Sequence, residues 1–566
     1  MDGGKPCGAG AGAAAALIGL ALFLPGIGSR GFWAPDEPRF GQVANEMLGS
    51  GDYVVPRMNG EPVALLPPLT YWASALASRF FGELTPVTAR IPIVLAAALT
   101  LAATALLGRA VSPPAGLWSA AVLGTTALFV HQATWLQADI YLAASTAWAL
   151  FFFYRGYVAP ERRASSFFAS WIALAPGALA KGPLAAALFG IVVFVFLCVR
   201  RDLRLLRSGA FWAGLPLLLA LVVPWYALAC MREGPRFAHV LLVKYTLGMF
   251  FDSWSHKQPA YYHVLNFPWT FLPWTALLPA SALYLVRRRV RAEQRCSGTF
   301  LACWAIALFG FFTIGSAKQQ KYLLPAFPPV AVAVGLLIAN CSAFLDRAVR
   351  RLALGGLLIA GFAIALAGAA FLGAAALRIS GTLSLPAKLA PYEAPLRAAI
   401  PLAAVALAGG ALVSVLSRRG QDLRRAAAAL AAVCCAVALI VETGLFAAID
   451  PFKTPRALCE AARVELRRAR VSEPAPERAP RLGIYGISFE EIGNYIYLTG
   501  ERLVRFEPEE GRYDAAAFEA FLRDPRPSLA FITAPALGAF PLSAYREIAR
   551  QRVGRRSVVL IAGAGP

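Results

Sequence analysis

The chain is 566 residues long, 58% apolar and only 15% charged, with a mean hydropathy of +0.59. That is too apolar for a water-soluble protein of this length, so the composition excludes an ordinary soluble enzyme and implies a polytopic membrane protein. A formal charge of +22 would suit a nucleic-acid binder, but the arginines fall in short clusters between apolar runs, which makes them topology signals and leaves nucleic acid out as a partner.

Apolar runs long enough to cross the hydrocarbon as helices recur from the N-terminus to roughly Val441. With Lys5 inside, basic clusters return after every second run: Arg109; Arg155, Arg162 and Arg163; Arg200 to Arg207; Arg287 to Arg295; Arg347 to Arg351; Arg418 to Arg425. About thirteen spans fit this alternation, and an odd number puts the C-terminal region outside. The predicted fold class is therefore a polytopic α-helical membrane protein of about thirteen transmembrane helices with a C-terminal soluble α/β domain. Residues 1–449 form the membrane domain, with outer loops 29–90 and 231–266, and residues 450–566 the extracytoplasmic domain. Ala11 to Gly28 has the look of a signal peptide, but the charge alternation needs it as a span. The nine cysteines show no metal spacing, and Cys303, Cys434 and Cys435 lie inside apolar runs, so they imply neither a zinc site nor a disulfide framework.

Taken in order, the stretch Gly31 to Gly49 places Asp36 and Glu37 just outside the first span. Pro38 suits a first helical turn, and Phe40, Val43, Ala44, Met47 and Leu48 share one face. This predicts a short helix along the membrane surface. The acidic pair either carries chemistry or only caps the helix and complements its dipole. From Leu65, LLPPLTYWASALASRFFG predicts a second, aromatic-rich helix suited to an interface. The two together form an amphipathic platform over the outer leaflet.

A tight outer connection with His131 and Trp135 leads to Asp139 at the mouth of the fourth span, where an ionisable group usually marks a site, its alternative being a helix cap. Lys181, in the turn Ala180 to Pro183, lies outside by parity and either snorkels or meets a phosphate. The second outer loop carries Lys244, His256, Lys257 and His263 among aromatic residues; the two histidines suit a metal, but no carboxylate stands at helical spacing beside them, and a loop histidine without a special role is the commoner outcome. Lys318, Lys321 and Tyr322 precede the tenth span. Lysines there make an anion site, or answer anionic lipid heads. Spans eleven to thirteen are rich in Ala, Gly and Leu and show no chemistry beyond Glu442 at an end.

After Asp450, apolar runs at Leu482–Ile487, Arg502–Phe506, Leu529–Thr533 and Val558–Ile561 alternate with helical patterns at Phe489–Tyr497, Ala515–Leu522 and Ala544–Arg552. They predict a small α/β domain with a mostly parallel sheet. It contains no phosphate-cradling Gly loop and no catalytic triad, so it reads as a lid or docking module.

The order of motifs resembles the lipid-carrier-dependent membrane glycosyltransferases of the aminoarabinose transferase and protein O-mannosyltransferase superfamily, which have the GT-C fold. An Asp-Glu-x-Arg motif after the first span matches Asp36, Glu37 and Arg39. A Pro-Pro-Leu-x-Tyr-Trp motif matches Pro67, Pro68, Leu69, Tyr71 and Trp72. Asp139 opens the fourth span, Lys181 to Pro183 match a Lys-Gly-Pro turn, and His256, Pro259, Tyr261 and Tyr262 match a His-x-x-Pro with aromatics. Lys318, Tyr322, Leu324 and Pro325 match Lys-x-x-x-Tyr-x-Leu-Pro. The chain departs from the family where it has Leu65 and Leu66 in place of an acidic residue and a lysine. It departs again at Lys244, Tyr245 and Met249 in place of Glu-Asn-x-x-x-Arg, and at Ser316 in place of a lysine.

The resemblance implies a sugar donated by a polyprenyl phosphate and moved, with inversion, to a lipid A-like glycolipid, glycan or protein at the outer face of a bacterial inner membrane. It implies Asp36 as general base or acceptor-orienting carboxylate, supported by Glu37 and Asp139, with Arg39, Lys181, Lys318, Tyr322, Tyr71 and His256 toward the substrate and carrier phosphate. Whether a divalent metal takes part stays open. Two alternatives belong to other classes: a homologue that binds the carrier without catalysis, and a flippase for a lipid-linked sugar, which would show inverted repeats and broken helices.

Overall fold

A computed structural model describes residues 9–251, 253, 255–287, 292–340, 346–380, 382, 392–418, 422–472, 479–507 and 513–563. The chain divides into two compact units: Met1–Ile27, Ala64–Thr70 and Arg90–Leu445 in the first, Gly28–Val63, Tyr71–Ala89 and Phe446–Pro566 in the second. The expected division at 449/450 kept residues 28–63 and 71–89 with the membrane helices; in the structure they group with the C-terminal residues.

The first unit is helical. Among the described residues seven helices are long and apolar enough to cross a membrane, and up to nine if each of two bent helix pairs is one span. The protein is thus a multi-pass membrane protein, with shorter apolar helices at Gly10–Phe23, Ala115–Gly124 and Leu184–Arg200 beside those spans. Arg347–Ile379 and Ile400–Arg418 owe their Ala and Gly content to close packing. A Cβ on Gly361 would lie 2.9 Å from the Gly410 carbonyl oxygen, and one on Gly410 would strike Gly361 and Ala365 in return. Small residues of this kind let helix backbones approach in lipid, where apolar burial alone gives little drive.

One of the bent pairs is Ala127–Thr134 with Asp139–Val158, which meet at 114°. The break places Asp139 in the first turn of the second helix, where a carboxylate complements the helix dipole.

The second unit carries a two-stranded hairpin, β1 (Arg57–Met58) with β2 (Glu61–Pro62), and a five-stranded sheet. The sheet comprises β3 (Arg481–Tyr485), β4 (Val504–Arg505), β5 (Ser528–Thr533), β6 (Tyr545–Val553) and β7 (Arg556–Gly563), in the order β4-β3-β5-β7-β6. β3 runs parallel to β4 and β5, whereas β7 is antiparallel to β5 and β6, so the sheet is mixed rather than mostly parallel. Residues 544–552 were expected as a helix, but Tyr545–Val553 form the edge strand β6. An edge strand tolerates charge on both faces, and that freedom gave Tyr545–Val553 its misleading helical pattern. Phe518 and Phe521 of the helix Ala515–Leu522 pack with Phe506, Ala530 and Val559 as a core.

The helix Glu37–Ser50 belongs to this unit and ends at Gly51, whose φ of 71° supplies the left-handed cap, its N–H donating to the Met47 carbonyl. Its apolar face, expected to lie on lipid, is covered by protein: Phe40, Val43, Ala44 and Met47 are all buried. The helix Phe489–Thr499 crosses it so closely that a Cβ on Gly493 would overlap the Pro38 carbonyl. In the helix Leu69–Phe81, by contrast, Leu76 and Phe80 are 71% and 82% exposed, as an interfacial face requires.

Candidate active site

The second unit treats its two neighbouring carboxylates in opposite ways. Glu37 is fully buried and accepts from Arg30 Nη1 at 2.5 Å and from the Trp33 backbone N–H at 2.9 Å. The Arg30 guanidinium in turn lies 5.2 Å from the Trp33 ring centroid. Asp36 keeps 17% of its side chain exposed and is paired with Arg39 Nη2 at 3.2 Å. Pro38 and the helix that starts at Glu37 produce this split, because they turn adjacent side chains about 100° apart. Glu37 is engaged in holding the entry segment, while Asp36 is half-buried and paired with Arg39.

Tyr71 lies behind this pair, fully buried, its ring 5.4 Å from that of Phe40. Burial pushes its hydroxyl up to about 12; Arg39 pulls it down and Asp36 raises it further. Among the described residues the hydroxyl has no hydrogen-bond partner. Two groups that the sequence reading missed complete the surroundings. Asp450 accepts from the Gly31 N–H and from Trp33 Nε1, both at 2.7 Å, and Asn494 Nδ2 donates to the Phe32 carbonyl at 2.9 Å. The loop ahead of Asp36 is therefore fixed by side chains more than 400 positions away.

The first unit gathers Asp139, Lys181, Lys321 and Tyr322. Lys181 Nζ is 3.1 Å from one Asp139 oxygen and Lys321 Nζ 3.9 Å from the other. Lys181 Nζ also lies 5.4 Å from the Tyr322 ring centroid. The Lys-Gly-Pro turn explains how Lys181 reaches this place. It ends the helix Arg163–Lys181, where a cation suits the dipole, and Gly182 leaves the helix at φ 71°, ψ −154°, backbone space that side chains avoid. Asp139 is 3% exposed, and two lysines meet this one buried carboxylate, a cationic chemistry that suits a phosphate.

Lys318 does not join that cluster. It is 4% exposed, and its ammonium donates to the Gly315 and Gln258 carbonyls at 2.6 and 3.0 Å while its backbone N–H donates to the His256 carbonyl. Burial lowers its pKa from the ordinary lysine value. Lys318 ties His256 and Gln258 to the turn before the tenth expected span, and Lys321 meets Asp139. Ser316 does related work, its Oγ accepting from the Ser253 N–H at 2.7 Å. His256 has an exposed side chain and a φ of 59°, whereas His263 is buried against Phe309 and Tyr262. Among the described residues no three His, Cys, Asp or Glu side chains form a metal-ligating group.

Residues 66–227 match the family model described as dolichyl-phosphate-mannose-protein mannosyltransferase. The chain is 28% identical over 338 residues to undecaprenyl phosphate-alpha-4-amino-4-deoxy-L-arabinose arabinosyl transferase 2 of Sodalis glossinidius, covering 57% of this chain and 59% of that one. It spans about three fifths of the length of the curated relatives it matches. Among solved structures, ArnT from Cupriavidus metallidurans bound to undecaprenyl phosphate superposes with a TM-score of 0.75 at 22% identity, over 97% of each chain. The archaeal oligosaccharyltransferase AglB from Archaeoglobus fulgidus, in complex with an inhibitory peptide and a dolichol-phosphate, gives 0.50 at 12% identity, over 93% of this chain and 69% of that one.

Proposed function

We propose, from the premise that this chain has the GT-C fold and resembles lipid-carrier-dependent membrane glycosyltransferases in the order of its motifs, that it transfers a sugar from a polyprenyl phosphate to an acceptor at the outer face of a bacterial inner membrane. The observation that carries the reading is the contrast between Asp36 and Glu37: one carboxylate fully buried against Arg30 and Trp33, its neighbour half-buried and paired with Arg39. An acceptor oxygen attacks the anomeric carbon, the bond from that carbon to the phosphate oxygen breaks with inversion, and the acceptor proton passes to Asp36. The polyprenyl phosphate leaves with its electron pair and needs no general acid, so orientation and charge stabilisation are what the protein must supply. Asp36 acts as base or orienting group, Arg39 and Tyr71 shape its surroundings, and Lys181, Lys321 and Tyr322 about Asp139 supply the cationic wall for phosphate. Thirteen crossings, with the N-terminus inside and residues 450–566 outside, accompany this reading.

A second reading, a carrier-binding protein without turnover, is favoured by Leu65, Leu66 and Ser316, which stand where the resemblance calls for charge. The test is purified protein in nanodiscs with radiolabelled undecaprenyl-phosphate-linked sugar and candidate glycolipid, glycan and peptide acceptors. Time-dependent conversion of the donor to undecaprenyl phosphate, lost in Asp36→Asn, supports transfer. Tight binding with the donor intact supports the second reading, and movement of intact donor between leaflets would support a flippase.

A further inference from the structure

Glu442, the one group that stands out in the sequence of the last three expected spans, has a partner 308 positions away. It is 5% exposed, within the candidate span Leu423–Phe452, and its Oε1 accepts from the Thr134 hydroxyl at 2.8 Å. An acidic side chain buried in a membrane domain is expensive to keep and marks a role by default. Two features aim it. Val441–Leu445 form a π turn after the helix Leu423–Ile440, and a π turn shifts the side chains it carries off the register of the helix before it. The chain after the first expected span closes on the same residue: a Cβ on Gly26 would lie 2.2 Å from the Glu442 Cβ, so only glycine admits this approach.

Thr134 ends the helix Ala127–Thr134, just before the break at 135–138 where the chain bends into the helix headed by Asp139. The hydrogen-bond ladder of a helix does not cross such a break, so the angle between the two halves is set by what grips their ends. Both ends of Ala127–Thr134 are gripped from elsewhere. The Ala127 N–H donates to the Leu272 carbonyl at 2.9 Å, and the Thr134 hydroxyl donates to Glu442. The same helix packs on the turn Gln320–Ala326, which carries Lys321 and Tyr322. One helix of eight residues therefore stands between Glu442 and the cationic cluster, reaching Asp139 along the chain and Lys321 by packing.

We propose that Glu442 is a positioning residue for the carrier phosphate: its hydrogen bond to Thr134 sets the angle of the broken helix and, through it, the spacing of Asp139, Lys181 and Lys321. The proposal rests on the reading of that cluster as the phosphate wall. Glu442 acts through Thr134 and not on the phosphate.

The full chain in nanodiscs is titrated with undecaprenyl phosphate, and with undecaprenol as the control that lacks the phosphate. Glu442→Ala and Thr134→Val are each expected to weaken the phosphate-dependent part of binding roughly fivefold or more, and the two together no further than the worse of them. Glu442→Gln and Thr134→Ser keep the acceptor and the hydroxyl, and should bind within about twofold of the parent. In a Lys181→Ala background, Glu442→Ala should cost less than about twofold more, because the cluster it positions is already broken. A merely structural contact would not give that dependence on Lys181. Parent-like binding by Glu442→Ala and Thr134→Val overturns the proposal, as does a full additional loss in the Lys181→Ala background. Should Glu442→Ala fail to fold, Thr134→Val against Thr134→Ser makes the same comparison with Glu442 in place. If Lys181→Ala binds as tightly as the parent, the phosphate wall fails and the role of Glu442 falls with it. If Lys181→Ala loses affinity while Glu442→Ala and Thr134→Val do not, the wall stands and the role of Glu442 alone fails.

Discussion

Lys181 Nζ lies 3.1 Å from a buried Asp139 oxygen, with Lys321 Nζ at 3.9 Å from the other oxygen of the same carboxylate. One anion thus separates two cations, and the three groups are unequal in what their removal does. Asp139→Ala leaves two lysines repelling each other at a site where each is less than a fifth exposed, whereas Lys181→Ala leaves Asp139 with Lys321. Asp139→Ala is therefore expected to cost roughly 3 kcal/mol and Lys181→Ala clearly less. Thermal unfolding in detergent reads the difference, and a larger loss for Lys181→Ala would contradict this geometry.

Glu37 and Asp36 should separate stability from turnover. Glu37→Ala removes the carboxylate that meets the fully buried Arg30 and the acceptor of the Trp33 N–H, so a loss of about 3–5 kcal/mol is expected. Asp36→Asn should hold its melting temperature within a few degrees and lower donor consumption by roughly 100-fold or more, the range typical of a lost general base. Similar melting losses in both variants would erase the distinction drawn between the two carboxylates.

Tyr71 gives a prediction in pH. Its hydroxyl ionises near the ordinary tyrosine value of 10 in the unfolded chain and at about 12 in the folded one. Below pH 10 both states keep the proton and the contribution is fully present; it is lost as pH rises from 10 through about 12. The amount is on the order of 3 kcal/mol. Tyr71→Phe should flatten this part of the alkaline stability curve and leave stability at pH 7 nearly unchanged, since it removes a buried hydroxyl that has no partner among the described residues. An alkaline limb identical to the parent's would count against the assignment.

Gly182→Ala tests the turn that delivers Lys181. At φ 71°, ψ −154° an alanine is strained by about 1–3 kcal/mol, and the added Cβ would meet the Tyr226 hydroxyl oxygen at 3.3 Å. The expected outcome is a lower melting temperature together with weaker polyprenyl phosphate binding. Unaltered binding would mean that the position of Lys181 does not matter for the carrier.

Much of this was legible in the chain. Long apolar runs announce spans by length alone, and the Gly182-Pro183 pair announces a break after Lys181. The roles of individual lysines were not legible. Lys318 and Lys321 sit three positions apart in one turn, and only the fold shows that the first is absorbed by the Gly315 and Gln258 carbonyls while the second meets Asp139. Glu37 looked equivalent to Asp36 because adjacent helical positions differ only in which side they face. Arg30 carried a readable clue, a cation seven residues before Glu37, but Asp450 and Asn494 carried none, since their partners lie 419 and 462 positions away. Residues 545–553 misled because their charge pattern suits an edge strand as well as a helix.

The crossing of Gly493 over Pro38 ties together two stretches that leave the ribosome more than 400 residues apart. The Asp36 helix emerges early in synthesis, yet its covering face does not exist until residues 489–499 have been made. Its assembly is consequently a late event governed by chain closure over hundreds of positions, and a message truncated near residue 450 would yield a protein whose spans insert but whose Asp36 segment stays uncovered.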